Sequence, residues 1–178
     1  MVAEIIGGLL TGSLALLADA GHMFSDAASL GLALFAIWIA GKPSTSAHTW
    51  GYHRTEILAA LVNGAMLVAI SFYIFYEAYL RLREPPEVDG GLMVLIALGG
   101  LVINLIGLYI LEGGRRESLN VQGAWLHVMA DTLGSVQAIV AGLLIWLFDW
   151  HWADPLASIL IGILVIVSSW NLLQESVM

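Results

Sequence analysis

A histidine and an aspartate four residues apart occur twice in apolar surroundings, as His22-Met-Phe-Ser-Asp26 and as His127-Val-Met-Ala-Asp131. Residues four apart share one face of a helix, so each pair projects an imidazole and a carboxylate in the same direction. Ionisable groups inside a bilayer are expensive and are normally functional. Two such faces turned toward each other offer two nitrogens and two carboxylates, a tetrahedral set for Zn²⁺. The competing reading is that both pairs merely cement helices by hydrogen bonds; two copies at matched depth favour the metal.

The elements that position these residues must be membrane helices. The 178 residues are 60% hydrophobic and 11% charged, the make-up of a membrane protein. One crossing takes about 20 apolar residues, so there is room for five full helices and a partial one. The absence of cysteine excludes disulfide frameworks, thiolate zinc sites and cysteine nucleophiles, leaving His, Asp and Glu as metal ligands. A net charge of −8 without a Lys/Arg run argues against nucleic acid. There is no His-Glu-x-x-His sequence and no apparent Ser/His/Asp set, so an enzyme is not expected.

Residues 1–11 are apolar but about half a crossing long, and they lack the basic n-region and cleavage site of a signal peptide. They read as the outer end of a first helix whose beginning is missing, closed by the turn Thr11-Gly12-Ser13. Ser13 can cap a helix running to about Ala40, with His22 and Asp26 near its middle. A polar stretch, 41–54, precedes a helix from about Thr55 to Leu82 that Pro85-Pro86 ends. Asp89-Gly90-Gly91 opens the next, to about Leu111. The following helix, about Ser118 to Phe148, carries the second motif. Asp154-Pro155 reads as cap and first helical position of a last helix, to about Gln174. Lys42, Arg54, Arg115 and Arg116 outnumber Arg81 and Arg83, so the positive-inside rule puts loops 41–54 and 113–117 in the cytoplasm of a plasma (inner) membrane. The two motif helices then run antiparallel, with their ligands at similar depth.

Other polar residues invite weaker readings. His48 and His53, on a polar loop, could form a second metal or entry site, or simply be solvated. Asp19 lies one turn from His22 and could help metal or proton passage, or be a hydrated polar residue. Glu4 is an intramembrane acid and a candidate proton carrier. Asn63, Asn104 and Gln137 read as bonds between helices, His151 as interfacial, and glycines 99, 100 and 107 as close packing or a hinge.

Three ordered motifs resemble one family. The run from Gly12 to Asp26, Gly-Ser-Leu-Ala-Leu-Leu-Ala-Asp-Ala-Gly-His-Met-Phe-Ser-Asp, looks like the second-helix signature of cation diffusion facilitator zinc transporters. His48-Thr-Trp-Gly-Tyr-His-Arg-Thr-Glu-Ile-Leu-Ala-Ala60 resembles the family's loop and third-helix start, and His127 to Asp131 its fifth-helix site. Tyr52 stands where some relatives carry a ligand His, a departure that weakens the loop site. The resemblance implies His22, Asp26, His127 and Asp131 as transport-site ligands. It further implies a homodimer of six-helix protomers that exchanges Zn²⁺ for H⁺ by alternating access, with a seam along the helices at about 55–82 and 154–174. The expectation is thus an all-α polytopic transmembrane bundle, its first helix truncated. Residues 1–178 would be a transport domain without the cytoplasmic domain common in the family, exporting zinc as its cargo. The alternatives are another divalent cation (Cd, Co, Fe, Mn), or a zinc-binding sensor or channel without proton coupling.

Overall fold

The structure, a computed structural model, describes residues 1–40, 53–115 and 118–177; the side chains of 53–63, 168–177 and several within 29–40 lie outside the description. Within these residues there are six helices and no strand: α1 (Val2–Thr11), α2 (Leu14–Ala40), α3 (His53–Arg83), α4 (Gly90–Glu112), α5 (Leu119–Phe148) and α6 (Ala153–Val177). Their bounds fall within a turn of those read from the sequence. Three segments among the described residues are long and apolar enough to cross a membrane: Gly64–Arg83, Gly90–Glu112 and Val121–Phe148. The side chains of α2 and α6, two of the five crossings expected, are described only in part.

Local chemistry sets the breaks. Gly12 adopts φ +74°, a left-handed conformation that costs glycine little, and ends α1. Ser13 then caps α2 as expected, its Oγ accepting from Leu16 N at 3.2 Å. Asp89 opens α4 in the same way, accepting from Leu92 N at 3.0 Å.

One cap is not where the sequence suggested. Asp154 lies inside the first turn of α6, which starts at Ala153, and its carboxylate accepts from Leu14 N and Ala15 N of α2. It therefore caps a different helix. The free N–H groups at a helix start take any acceptor that packing delivers, and here the chain fold brings one from afar.

Packing joins α4 to α5 and α3 to α6 along their lengths. The first helix rests on α2 and α4, α2 lies on α3 and α6, and α2 meets α5 only narrowly. The buried core is rich in alanine, including Ala15, Ala18, Ala138, Ala141 and Ala157. Lipid is as apolar as leucine, so membrane helices associate through close approach and interhelical bonds rather than by escape from water. At the α4–α5 crossing an added Cβ on Gly90 would lie 2.6 Å from Gly142 O, so the two backbones touch. Asn104 Nδ2 donates to Ser135 Oγ at 3.3 Å, and Gln137 Nε2 to Ala157 O, the interhelical roles expected of both.

Candidate metal centre

The narrow meeting of α2 and α5 is where the two His/Asp pairs face each other. His22 Nε2 lies 3.5 Å from Asp26 Oδ2 and 3.8 Å from Asp131 Oδ1. His127 Nε2 lies 3.5 Å from Asp26 Oδ2 and 3.7 Å from Asp131 Oδ2. Ligand atoms of His22, His127 and Asp131 fall within 4.8 Å of one another. The imidazole centroids are 6.0 Å apart, with planes tilted 58°.

These separations bear on what the four residues can do. Contacts of 3.5 to 3.8 Å are too long for hydrogen bonds, which argues against side chains that exist to cement helices. Asp26 Oδ2, Asp131 Oδ1 and the second nitrogen of His22, Nδ1, are buried and lack a hydrogen-bond partner. Buried polar atoms are rarely left so without a ligand to receive. A tetrahedral zinc ion with bonds near 2.05 Å has ligand–ligand edges of about 3.3 Å. The four histidine–aspartate edges exceed that by a few tenths of an ångström, while the wider 4.8 Å spread over His22, His127 and Asp131 calls for a larger inward movement to close the set around such an ion.

Depth fits a membrane midplane. The middle of the first motif lies about 15 Å along α2 from its start, and that of the second about 15 Å along α5, at 1.5 Å per residue. Because the helices run oppositely, the two lengths are measured from opposite faces, and they sum to about 30 Å, the thickness of a hydrocarbon core.

The surroundings are uneven. The side chain of Asp131 is 13% exposed, and that of His127 47%. Toward the start of α5, Arg115, Gln122, Trp125 and Leu126 line a cavity of about 440 Å³, with the Arg115 guanidinium 4.4 Å over the Trp125 ring. On the opposite side the walls are buried: Asp19, Thr132 and Ser135.

Of the other residues singled out, Asp19 and Glu4 are buried on that closed side, and neither belongs to the close group of His22, His127 and Asp131. An added Cβ on Gly100 would meet Glu4 Oε1 at 3.1 Å, and one on Gly134 would meet Asp19 Oδ1 at 3.4 Å. Each carboxylate thus sits where a glycine leaves room. His48 and the side chains of His53 and Asn63 lie outside the described residues. His151 Nδ1 accepts from Val88 N at 3.3 Å, tying the α5–α6 turn to the segment before α4. Sequence reasoning missed Arg81 and the true partner of Asp154. The available signal is an arginine in the last turn of an apolar helix, which counts at the sequence level only in the charge balance of the two membrane sides.

Comparison with known proteins identifies the family of the chain. The cation efflux transmembrane domain matches residues 1–178. A protein of Bacillus subtilis named as a cadmium, cobalt and zinc/H(+)-K(+) antiporter is 51% identical over 179 residues, covering 99% of this chain and 58% of its own length. The zinc transporter ZitB of Escherichia coli is 49% identical, covering 99% and 57%. The metal cation efflux system protein CzcD of Cupriavidus metallidurans is 46% identical, covering 99% and 56%. The chain spans a little over half the length of these relatives, which are transporters and not enzymes. A match along its whole length places this integral membrane chain in the cation efflux family, also called the cation diffusion facilitators.

Proposed function

We propose that the chain carries Zn²⁺ out of the cytoplasm in exchange for protons, by alternating access to a midplane site of His22, Asp26, His127 and Asp131. The observation that carries this reading is the convergence of two imidazole nitrogens and two carboxylates at edges of 3.5 to 3.8 Å. The zinc, cadmium and cobalt in the relatives' names support a divalent cargo. Two histidines with two aspartates suit zinc best.

Charge balance explains why protons would be the exchanged ion. Two aspartates neutralise Zn²⁺, so a loaded site crosses a low-dielectric interior without net charge. The emptied site would carry two negative charges, a state that the membrane interior penalises heavily. Protons taken up by the same residues remove that penalty on the return. Zinc needs neutral imidazole and ionised carboxylate, so metal and proton compete for one set of atoms. Glu4 and Asp19, buried beyond the site, are the stepping stones proposed for those protons.

In this reading the Arg115 end of the molecule is cytoplasmic, and zinc enters through the cavity beside Trp125. The homodimer seam runs along α3 and α6, where Phe72, Tyr73 and Tyr76 of α3 and Leu160 and Leu164 of α6 are exposed in the single protomer. Reconstitution into zinc-loaded vesicles tests the function directly. Zinc should move against its gradient when a pH gradient is imposed. Flux indifferent to pH would leave a channel, and binding without flux a sensor.

A further inference from the structure

The metal site is shut on one side, and the far edge of the shut side carries a polar cluster that the site does not use. Toward that edge Leu14, Ala15, Leu16 and Ala18 of α2 and Ser135, Ala138 and Ala141 of α5 are buried. At the edge stands Asp154, fully buried. Its carboxylate accepts from Ser13 Oγ at 2.6 Å, from Leu14 N at 2.8 Å and from Ala15 N at 3.1 Å. Arg81 of α3 donates to Gly12 O, lies 3.8 Å from Asp154 Oδ2, and is itself held by Glu77 at 2.9 Å. Asp89 N, at the start of α4, donates to Thr11 O at 3.1 Å.

A carboxylate withdrawn from water persists only with so complete a set of donors, and a helix start is a favourable place for it. Its position in the chain gives it consequence. Asp154 follows the end of α5 by one short turn, whereas its partners begin α2. The bond therefore ties the start of α2 to the start of α6, just past the end of α5, on the side where α2 must move for the metal site to open on this face. Two of the four ligands ride on α2 and two on α5.

We propose that Asp154, with Arg81, is a latch that pins the start of α2 to α6 and α3 and holds this side of the metal site closed. The proposal rests on the alternating-access reading above. In the closed state the charge-assisted cap is intact; opening trades it for hydration of the same groups at the membrane surface. Weakening the cap shifts the population toward the state open on the Asp154 face, because conformers that lack the bond lose nothing.

The natural absence of cysteine makes the test direct. Ala138→Cys places a thiol in the shut half of α5, and a membrane-impermeant thiol reagent is applied to the Asp154 face of vesicles containing the full chain. Alone, this variant should label slowly. Adding Asp154→Asn, which keeps an acceptor but removes the charge, should speed labelling about tenfold, the effect of losing a charged cap. Arg81→Gln should act in the same direction. Retained zinc binding by calorimetry shows that each variant is folded. An unchanged labelling rate in a variant that binds zinc overturns the latch. Should Asp154→Asn fail to fold, Ser13→Ala, which removes one donor only, carries the test, and an unchanged rate there overturns the proposal equally. Zinc flux by the unaltered chain is measured separately. A working exchanger whose labelling ignores these substitutions removes the latch alone; no proton-driven flux removes the exchange reading.

Discussion

From the ligands toward Asp154, α2 and α5 present Ala15, Ala18, Ser135, Ala138 and Ala141 and bury all of them. From the ligands toward Arg115, the same two helices present the exposed side chains of Phe24, Leu126 and His127 beside a cavity of about 440 Å³. Small side chains let each helix lie close against its neighbours, α2 against α3 and α6 and α5 against α4, which makes this half of the molecule dense. Among the described residues of the other half, larger and exposed side chains flank a half-exposed imidazole. The difference teaches that the two ends of one helix pair are built from different volumes, which in the reading proposed above would let one end open while the four residues stay the same.

The largest expected effect comes from the residues shared by both halves. Asp131→Ala or Asp26→Ala leaves two histidines with one carboxylate, and zinc flux into vesicles should fall at least about 100-fold, beyond what loss of an outer-sphere partner does. Normal flux in either variant would detach the metal site from the seam altogether.

Packing substitutions separate the halves themselves. Gly142→Val drives a side chain into the α4–α5 crossing, where an added Cβ already lies 2.8 Å from Val94 Cγ2. Overpacking there should cost about 1–3 kcal/mol, read as a lowered melting temperature in detergent. Gly123→Ala, at the open end of α5 with nothing within 4 Å, should change stability by no more than about 0.5 kcal/mol. Equal effects at the two glycines would mean that the two halves are not packed differently.

The boundary between the halves should respond to pH, because protons and zinc compete for the same nitrogens and oxygens. Apparent zinc affinity should fall on going from pH 7.5 to pH 6, by about tenfold per pH unit for each proton displaced. Calorimetry in buffers of different ionisation enthalpy counts those protons, and a count of zero would contradict competition at the site.

The smallest effect is expected in the dense half away from the ligands. Asn104→Ala removes one interhelical hydrogen bond to Ser135 and should cost about 0.6 kcal/mol, with zinc affinity unchanged. A large loss of affinity would mean that the polar wall of the shut side reaches the metal.

Much of this molecule is legible in its residues because the signals are local. Hydropathy over about 20 residues marks membrane helices, and Ser13, Asp89 and Gly12 mark their ends by chemistry confined to one turn. The i, i+4 spacing of His22 with Asp26 and of His127 with Asp131 fixes which atoms share a face. Asn104 and Gln137 were recognisable as interhelical donors because a polar amide inside lipid must find a partner.

What the tertiary structure decided are the choices between distant partners. Asp154 beside Pro155 has the local form of a cap for its own helix, yet its carboxylate serves Leu14, 140 positions away in the chain. Nothing near either residue encodes that pairing. Which side of the four-residue cluster is enclosed by buried small side chains was equally hidden, since alanine and phenylalanine are both simply apolar in a hydropathy profile. That enclosure depends on how α2 and α5 each pack on their other neighbours. The sequence by itself determined the helices, the four residues that face each other and their similar depth; their separations and the bond between the starts of α2 and α6 came from packing, because those follow from long-range contacts that no local pattern carries.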